Sequence, residues 1–141
     1  VAGCSHHCPQ CHNPVTWDIN GGLVFDEQAK EELFEELKKD YVSGVTFSGG
    51  DPFHLENREE IGALAKEIRE KFPDKTIWLY TGYEWEEICH LSFLSNIDVI
   101  VDGKFKIEEK DNNLHWKGSA NQRVIDVKAS LCAGEVRLYQ E

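Results

Sequence analysis

Three cysteines fall near the start of the chain, Cys4, Cys8 and Cys11, with the spacing C-x3-C-x2-C. A loop that short can fold its thiolates around one metal centre. Disulfides fit it poorly, because three is odd and the spans are tight. Three chemistries suit these residue types. Structural zinc accepts three cysteines and a histidine, and His6, His7 or His12 lies close by. Such sites, however, usually join two separated ligand pairs. A Cys8–Cys11 redox dithiol would open a helix, and Asn13-Pro14 intervenes. An iron–sulfur cube takes cysteine thiolates as its usual ligands, and three of them leave one iron open to a substrate. Iron–sulfur ranks above zinc, and zinc above the dithiol.

A second group of interest is Ser48-Gly49-Gly50-Asp51-Pro52. Its plainest reading is a turn after a strand. Its functional reading is that two residues without Cβ let a ligand approach the backbone, whose carbonyls accept bonds from an ammonium group.

The elements that position these groups alternate between two periods. Residues 27–39 place Leu33, Phe34 and Leu37 at helical spacing, with Asp26 as N-cap. Gly44-Val45-Thr46-Phe47 predicts a strand. Residues 57–72 predict a helix with Ile61, Leu64, Ala65, Ile68 and Phe72 in one stripe, and Asn57 capping with Glu60. Strands are expected at Thr76–Tyr80, Ile97–Val101 and residues 123–127, a short helix at 84–94 and a polar loop at 108–122.

This alternation predicts parallel strands with right-handed crossovers and a ligand at their carboxyl ends. Those ends are informative. A strand stub, Val1-Ala2, leads into the cysteine loop. The next ends carry Ser48 to Pro52, Thr81-Gly82, and Asp102-Gly103-Lys104. A metal loop, a glycine pair, a threonine and an Asp/Lys pair thus converge on one rim.

Composition excludes other classes. The 141 residues are 40% hydrophobic and 29% charged, as expected of one soluble domain. A net charge of −11 argues against nucleic acid or an anionic membrane as partner. No apolar run reaches the roughly 20 residues of a membrane span. Five cysteines without a secretory signal favour a reducing cytoplasm. The chain starts at Val1 and has no methionine, so its N-terminal boundary is expected to be artificial.

Taken together, the cysteine triad and Ser48-Gly49-Gly50-Asp51-Pro52 resemble the radical S-adenosylmethionine enzymes. Within them the chain is similar to the activases of anaerobic ribonucleotide reductase. That narrower resemblance rests on Cys8-Pro9-Gln10-Cys11-His12-Asn13 with Thr16-Trp17, on Ile77 to Tyr83, on Val101-Asp102-Gly103-Lys104-Phe105, and on Trp116 to Arg123. It covers roughly residues 1–127, and the rest, 128–141, is a tail without a motif.

The resemblance implies a single domain over 1–141, an α/β fold forming a partial β/α barrel of mostly parallel strands, and a truncated N-terminal strand. It implies a 4Fe-4S cluster on Cys4, Cys8 and Cys11, whose open iron is chelated by S-adenosylmethionine. Reductive cleavage would yield a 5′-deoxyadenosyl radical that takes a hydrogen from a glycine Cα of the partner, the large subunit of the reductase. A flavodoxin-type protein would donate the electron. Gly49 and Gly50 would receive the methionine amino group. Gln10 and His12 would lie against the cofactor, with His12 near the adenine. Ser48, Asp51, Thr81, Asp102 and Lys104 are further candidates for cofactor or glycine-loop contacts. Relatives often carry glycine at the position of Gln10 and an aromatic residue at that of His12, and a longer N-terminal segment. The alternatives are an activase of another glycyl radical enzyme, or a zinc-stabilised binding module without catalysis.

Other residues carry plainer expectations. Cys89 reads as a buried thiol, and Cys132 has no ligand partner at suitable spacing. His6 and His7 are expected to face solvent. Trp78, Tyr80 and Trp85 read as core or interface aromatics. Asn121-Gln122-Arg123 either contacts a partner or ends a loop, with the first favoured. The acidic run Glu31 to Glu36 reads as a solvated helix face.

Overall fold

Four short apolar segments pair into one mixed sheet in the computed structural model, which describes residues 6, 27–48, 51–111, 113–114, 116–117 and 119–139. The strands are β1 (Gly44–Phe47), β2 (Thr76–Tyr80), β3 (Val99–Asp102) and β4 (Arg123–Asp126), in that spatial order. β1 and β2 run parallel, as do β2 and β3, and β4 returns antiparallel. Phe47 pairs with Leu79, and Tyr80 with Val101, so the three parallel strands end on one edge. The expected strand at Val1-Ala2 lies outside the described residues.

Helix α1 (Glu27–Leu37) buries Phe34 and Leu37 and leaves its glutamates exposed, as the stripe predicts. Helix α2 (Arg58–Lys71) buries Ile61, Leu64, Ala65 and Ile68. Each of its large apolar side chains contributes roughly 1.5–3 kcal/mol on burial. The expected Asn57–Glu60 cap is absent: Asn57 is in helical conformation, its side chain makes no cap bond, and its amide reaches the Asp51 carbonyl at 3.4 Å.

On β2, Ile77 and Leu79 point into the core while Trp78 and Tyr80 occupy the other face, as the period of two demands. There Trp78 meets Trp116 and Tyr139 edge to face, with centroids 5.2 and 5.3 Å away. All four residues of β3 are buried.

The single helix expected over 84–94 divides. Helix α3 (Trp85–Ile88) ends after one turn, and a 3-10 segment follows at Ser92–Asn96. The division lets Phe93 pack on Gly62 of α2, while Leu94 is buried completely. Cys89 falls past the buried Trp85–Ile88 face and is exposed, not buried. The tail is structured as well. Helix α4 (Val127–Ala133) is capped by Asp126, whose carboxylate accepts the Ala129 N–H at 3.0 Å. It stops at Gly134, whose φ of 71° suits glycine. The chain then returns to β4, where the Tyr139 N–H donates to the Val124 carbonyl at 2.8 Å. No described helix is long and apolar enough to cross a membrane.

Candidate active site

The parallel strand ends are joined by one buried carboxylate. Asp51 is 1% exposed and lies in the turn after β1. Its Oδ1 accepts the Phe53 N–H at 2.9 Å and the Thr81 hydroxyl at 2.8 Å. Its Oδ2 accepts the Gly82 N–H at 2.9 Å and pairs with His6 Nε2 at 2.6 Å. A buried carboxylate is costly unless its oxygens are satisfied, and four donors achieve that here. A carboxylate only accepts, so a hydrogen bond between the two has Nε2 as its donor.

His6 therefore does not face solvent. Its side chain is only 7% exposed, and its ring lies edge-on to Tyr83 with centroids 4.7 Å apart. Gly82 makes room for it: a Cβ there would lie 2.5 Å from the imidazole. Arg58 also packs on Tyr83, its guanidinium 5.4 Å from the ring centroid and its Nε donating to the Phe53 carbonyl at 3.1 Å. The sequence reading of His6, as a candidate zinc ligand or a solvent-facing side chain, missed this pairing. The available signal was a carboxylate beside a glycine pair, which needs donors once buried.

A second buried carboxylate holds the end of β3. Asp102, also 1% exposed, accepts the Trp85 N–H at 2.8 Å and the Arg123 guanidinium. Arg123 reaches onward to Glu86 at 2.9 Å. Bonding to Asp102, and then to Glu86, holds Arg123 charged well above its ordinary range, while Arg123 keeps Glu86 below the usual carboxylate range. Gln122 donates to the Gly103 carbonyl at 3.0 Å and Asn121 to the Lys104 carbonyl at 2.8 Å. The Asn121-Gln122-Arg123 run thus fastens the strand end from within.

Of the residues singled out from sequence, Asp51 and Thr81 meet directly, and Ser48 stands exposed at the end of β1. Asp102 and Lys104 follow the next strand, with Asp102 spent on protein contacts and Lys104 exposed. Cys4, Cys8, Gln10, Cys11, His12, Gly49 and Gly50 lie outside the described residues. No cluster of three metal-ligating groups occurs among the described residues. The donor set of the cysteine loop, three soft thiolates on one short segment, fits an iron–sulfur cluster.

Comparison with known proteins defines the class first. Residues 1–125 match the family model described as a 4Fe-4S single cluster domain. The anaerobic ribonucleoside-triphosphate reductase-activating protein of Enterobacteria phage T4 is 44% identical over 124 residues, spanning 88% of this chain and 79% of that protein. Its counterpart in Haemophilus influenzae is 39% identical over 126 residues, spanning 86% of this chain and 81% of its own length. That of Escherichia coli K12 is 39% identical over 128 residues, spanning 88% and 83%. No solved structure matches significantly. The chain belongs to the family of anaerobic ribonucleoside-triphosphate reductase-activating proteins.

Proposed function

We propose that this chain is a radical S-adenosylmethionine activase that generates a glycyl radical on the large subunit of the anaerobic ribonucleotide reductase. The observation that carries the reading is the Cys4, Cys8 and Cys11 triad inside a segment matched along nearly its whole length by activating proteins of that reductase. Those three thiolates would hold the 4Fe-4S cluster. When bound, the cluster supplies the electron that reductively cleaves S-adenosylmethionine, whose product then takes hydrogen from a glycine Cα.

The remaining work falls to the chain's own residues. Gly49 and Gly50 offer backbone carbonyls to the methionine amino group, and Gln10, His12 and Ser48 flank the cofactor. Asp51 and Thr81 support this reading as holders of the glycine turn rather than as ligands, because their polar atoms are spent on each other and on nearby donors. Lys104 is the exposed cation at the neighbouring strand end and suits contact with the reductase. The sheet is read as part of a partial β/α barrel, a flavodoxin-type protein as the electron donor, and the cytoplasm as the site of action.

The test is anaerobic reconstitution with iron and sulfide, followed by a cleavage assay. About four irons and four sulfides per chain are expected, as one cube requires. 5′-Deoxyadenosine should form with the wild-type chain and not with Cys4→Ala, Cys8→Ala or Cys11→Ala. Cleavage that survives any of these substitutions overturns the reading. Stoichiometric zinc in place of iron would establish the binding module instead.

A further inference from the structure

The histidine inside the cysteine loop is tied to the strand-end turn that follows the glycine pair. His6 lies two residues from Cys4 and two from Cys8, and Asp51 directly follows Gly50. Two residues of extended chain reach at most about 7 Å. Fixing His6 therefore limits where both cysteines can go, and fixing Asp51 limits Gly50. One contact, His6 Nε2 to Asp51 Oδ2 at 2.6 Å, fixes both at once.

Its surroundings make the contact rigid. Asp51 is held by three further donors from Phe53, Thr81 and Gly82. Phe53 is fully buried and Thr81 only 5% exposed, so this anchor belongs to the core rather than to a loose surface turn. The imidazole is confined between Tyr83 and the bare Cα of Gly82. An ion-paired histidine at the protein surface would offer no such constraint. Here an imidazole from a loop rich in cysteine occupies a slot shaped by the end of β2.

We infer that His6 is a positioning residue for the proposed cofactor site: its Nε2–H bond to Asp51 sets the cysteine loop against the glycine turn. The inference rests on the activase reading. His6 contributes a donor to the protein's own carboxylate, which occupies Nε2. Losing it leaves one oxygen of a buried carboxylate short of a donor and removes the tie between residue 6 and the strand end. Removing a group that orients metal ligands typically weakens metal binding by about 10- to 100-fold.

The experiment compares the wild-type chain, His6→Ala, His6→Gln and Asp126→Ala after anaerobic reconstitution. The readouts are the rate of iron release to a ferrous chelator and the change that S-adenosylmethionine makes in the electron paramagnetic resonance spectrum of the reduced cluster. His6→Ala should release iron about tenfold faster or more, and should lose the cofactor-induced spectral change. His6→Gln, which keeps an amide N–H at similar reach, should recover most of both. Asp126→Ala removes the N-cap of α4 at the opposite end of β4 from this network, and serves as a destabilised control that should keep its cluster.

Wild-type behaviour of His6→Ala overturns the inference. So does a His6→Gln variant as defective as His6→Ala, and that comparison still decides if His6→Ala fails to fold. Equal iron loss in Asp126→Ala would reduce the effect to general destabilisation and also overturn it. A wild-type chain that takes up no iron would instead bring down the activase reading, and this inference with it.

Discussion

Arg123 and Asp102 face each other across the antiparallel pair β3–β4, and their side chains close the register that their backbones begin. The Arg123 N–H donates to Asp102 Oδ1 at 3.2 Å while its guanidinium bonds the same carboxylate. The side chain of Asp102 is 1% exposed, whereas that of Glu86, the other partner of Arg123, is 60% exposed. Those two exposures rank the pairs. Asp102→Ala should cost about 3 kcal/mol, because it strands a partly buried cation and the Trp85 N–H. Glu86→Ala should cost less than about 1 kcal/mol. Urea unfolding of the two variants measures the difference, and equal midpoint shifts would refute the ranking.

Tyr80 predicts an alkaline limit to stability. Its hydroxyl donates to the Trp116 carbonyl at 2.6 Å, and burial raises its pKa above that of a free phenol. A folded-state pKa raised above the unfolded one gives stability that is complete below the unfolded value, about 10, and is lost as pH rises through the folded value. The wild type should therefore lose stability above about pH 10. Tyr80→Phe should be less stable at neutral pH by about 1 kcal/mol and flatter in its alkaline dependence. Melting curves across that range test it; parallel profiles would show that Tyr80 is not the group responsible.

How much was legible before folding varies by element, and the reasons are physical. The α2 stripe and the alternation along β2 are repeating patterns, and a repeating pattern names its buried face without knowledge of the neighbour. The 84–94 segment has helical spacing too, in Ile88, Leu91 and Leu94, yet it breaks where Phe93 docks on Gly62, a contact set by tertiary structure. Strand ends pointed to the right places for Asp51, Thr81 and Asp102. Their roles were hidden, because whether a carboxylate serves a ligand or the protein depends on donors arriving from far along the chain. Thr81 comes to Asp51 across 30 positions and His6 across 45. The tail after residue 127 carried no motif, but the Asp126 cap and the terminal Gly134 are local signals that were readable.

Gly62 offers a test of that tertiary contact. A Cβ there would lie 2.5 Å from the Phe93 ring. In an exposed helix interior, glycine to alanine is stabilising by about 1 kcal/mol. At this position overpacking opposes that gain by about 1–3 kcal/mol. Gly62→Ala should therefore destabilise the chain, and Gly62→Ala with Phe93→Ala should recover the helix-propensity part of the loss relative to Phe93→Ala alone. Chemical unfolding of the four members of this cycle measures the coupling. A stabilising single Gly62→Ala variant would show that Phe93 does not hold α2 at this point.

Gly82 and His6 form a second cycle, closer to the site. The imidazole lies where a Cβ on residue 82 would need to be, so Gly82→Ala must displace either the ring or the strand end. The strand end is held by the Gly82 N–H bond to Asp51 and by Thr81, which leaves the ring as the part that yields. Gly82→Ala should thus cost about 1–3 kcal/mol in the wild-type background and break the His6–Asp51 contact. In a His6→Ala background the slot is empty, and the same substitution should cost much less. The difference between the two costs, read from unfolding of the chain without metal, reports the packing of His6 against β2 independently of any cofactor. Additive costs would mean that the imidazole does not occupy this slot in solution.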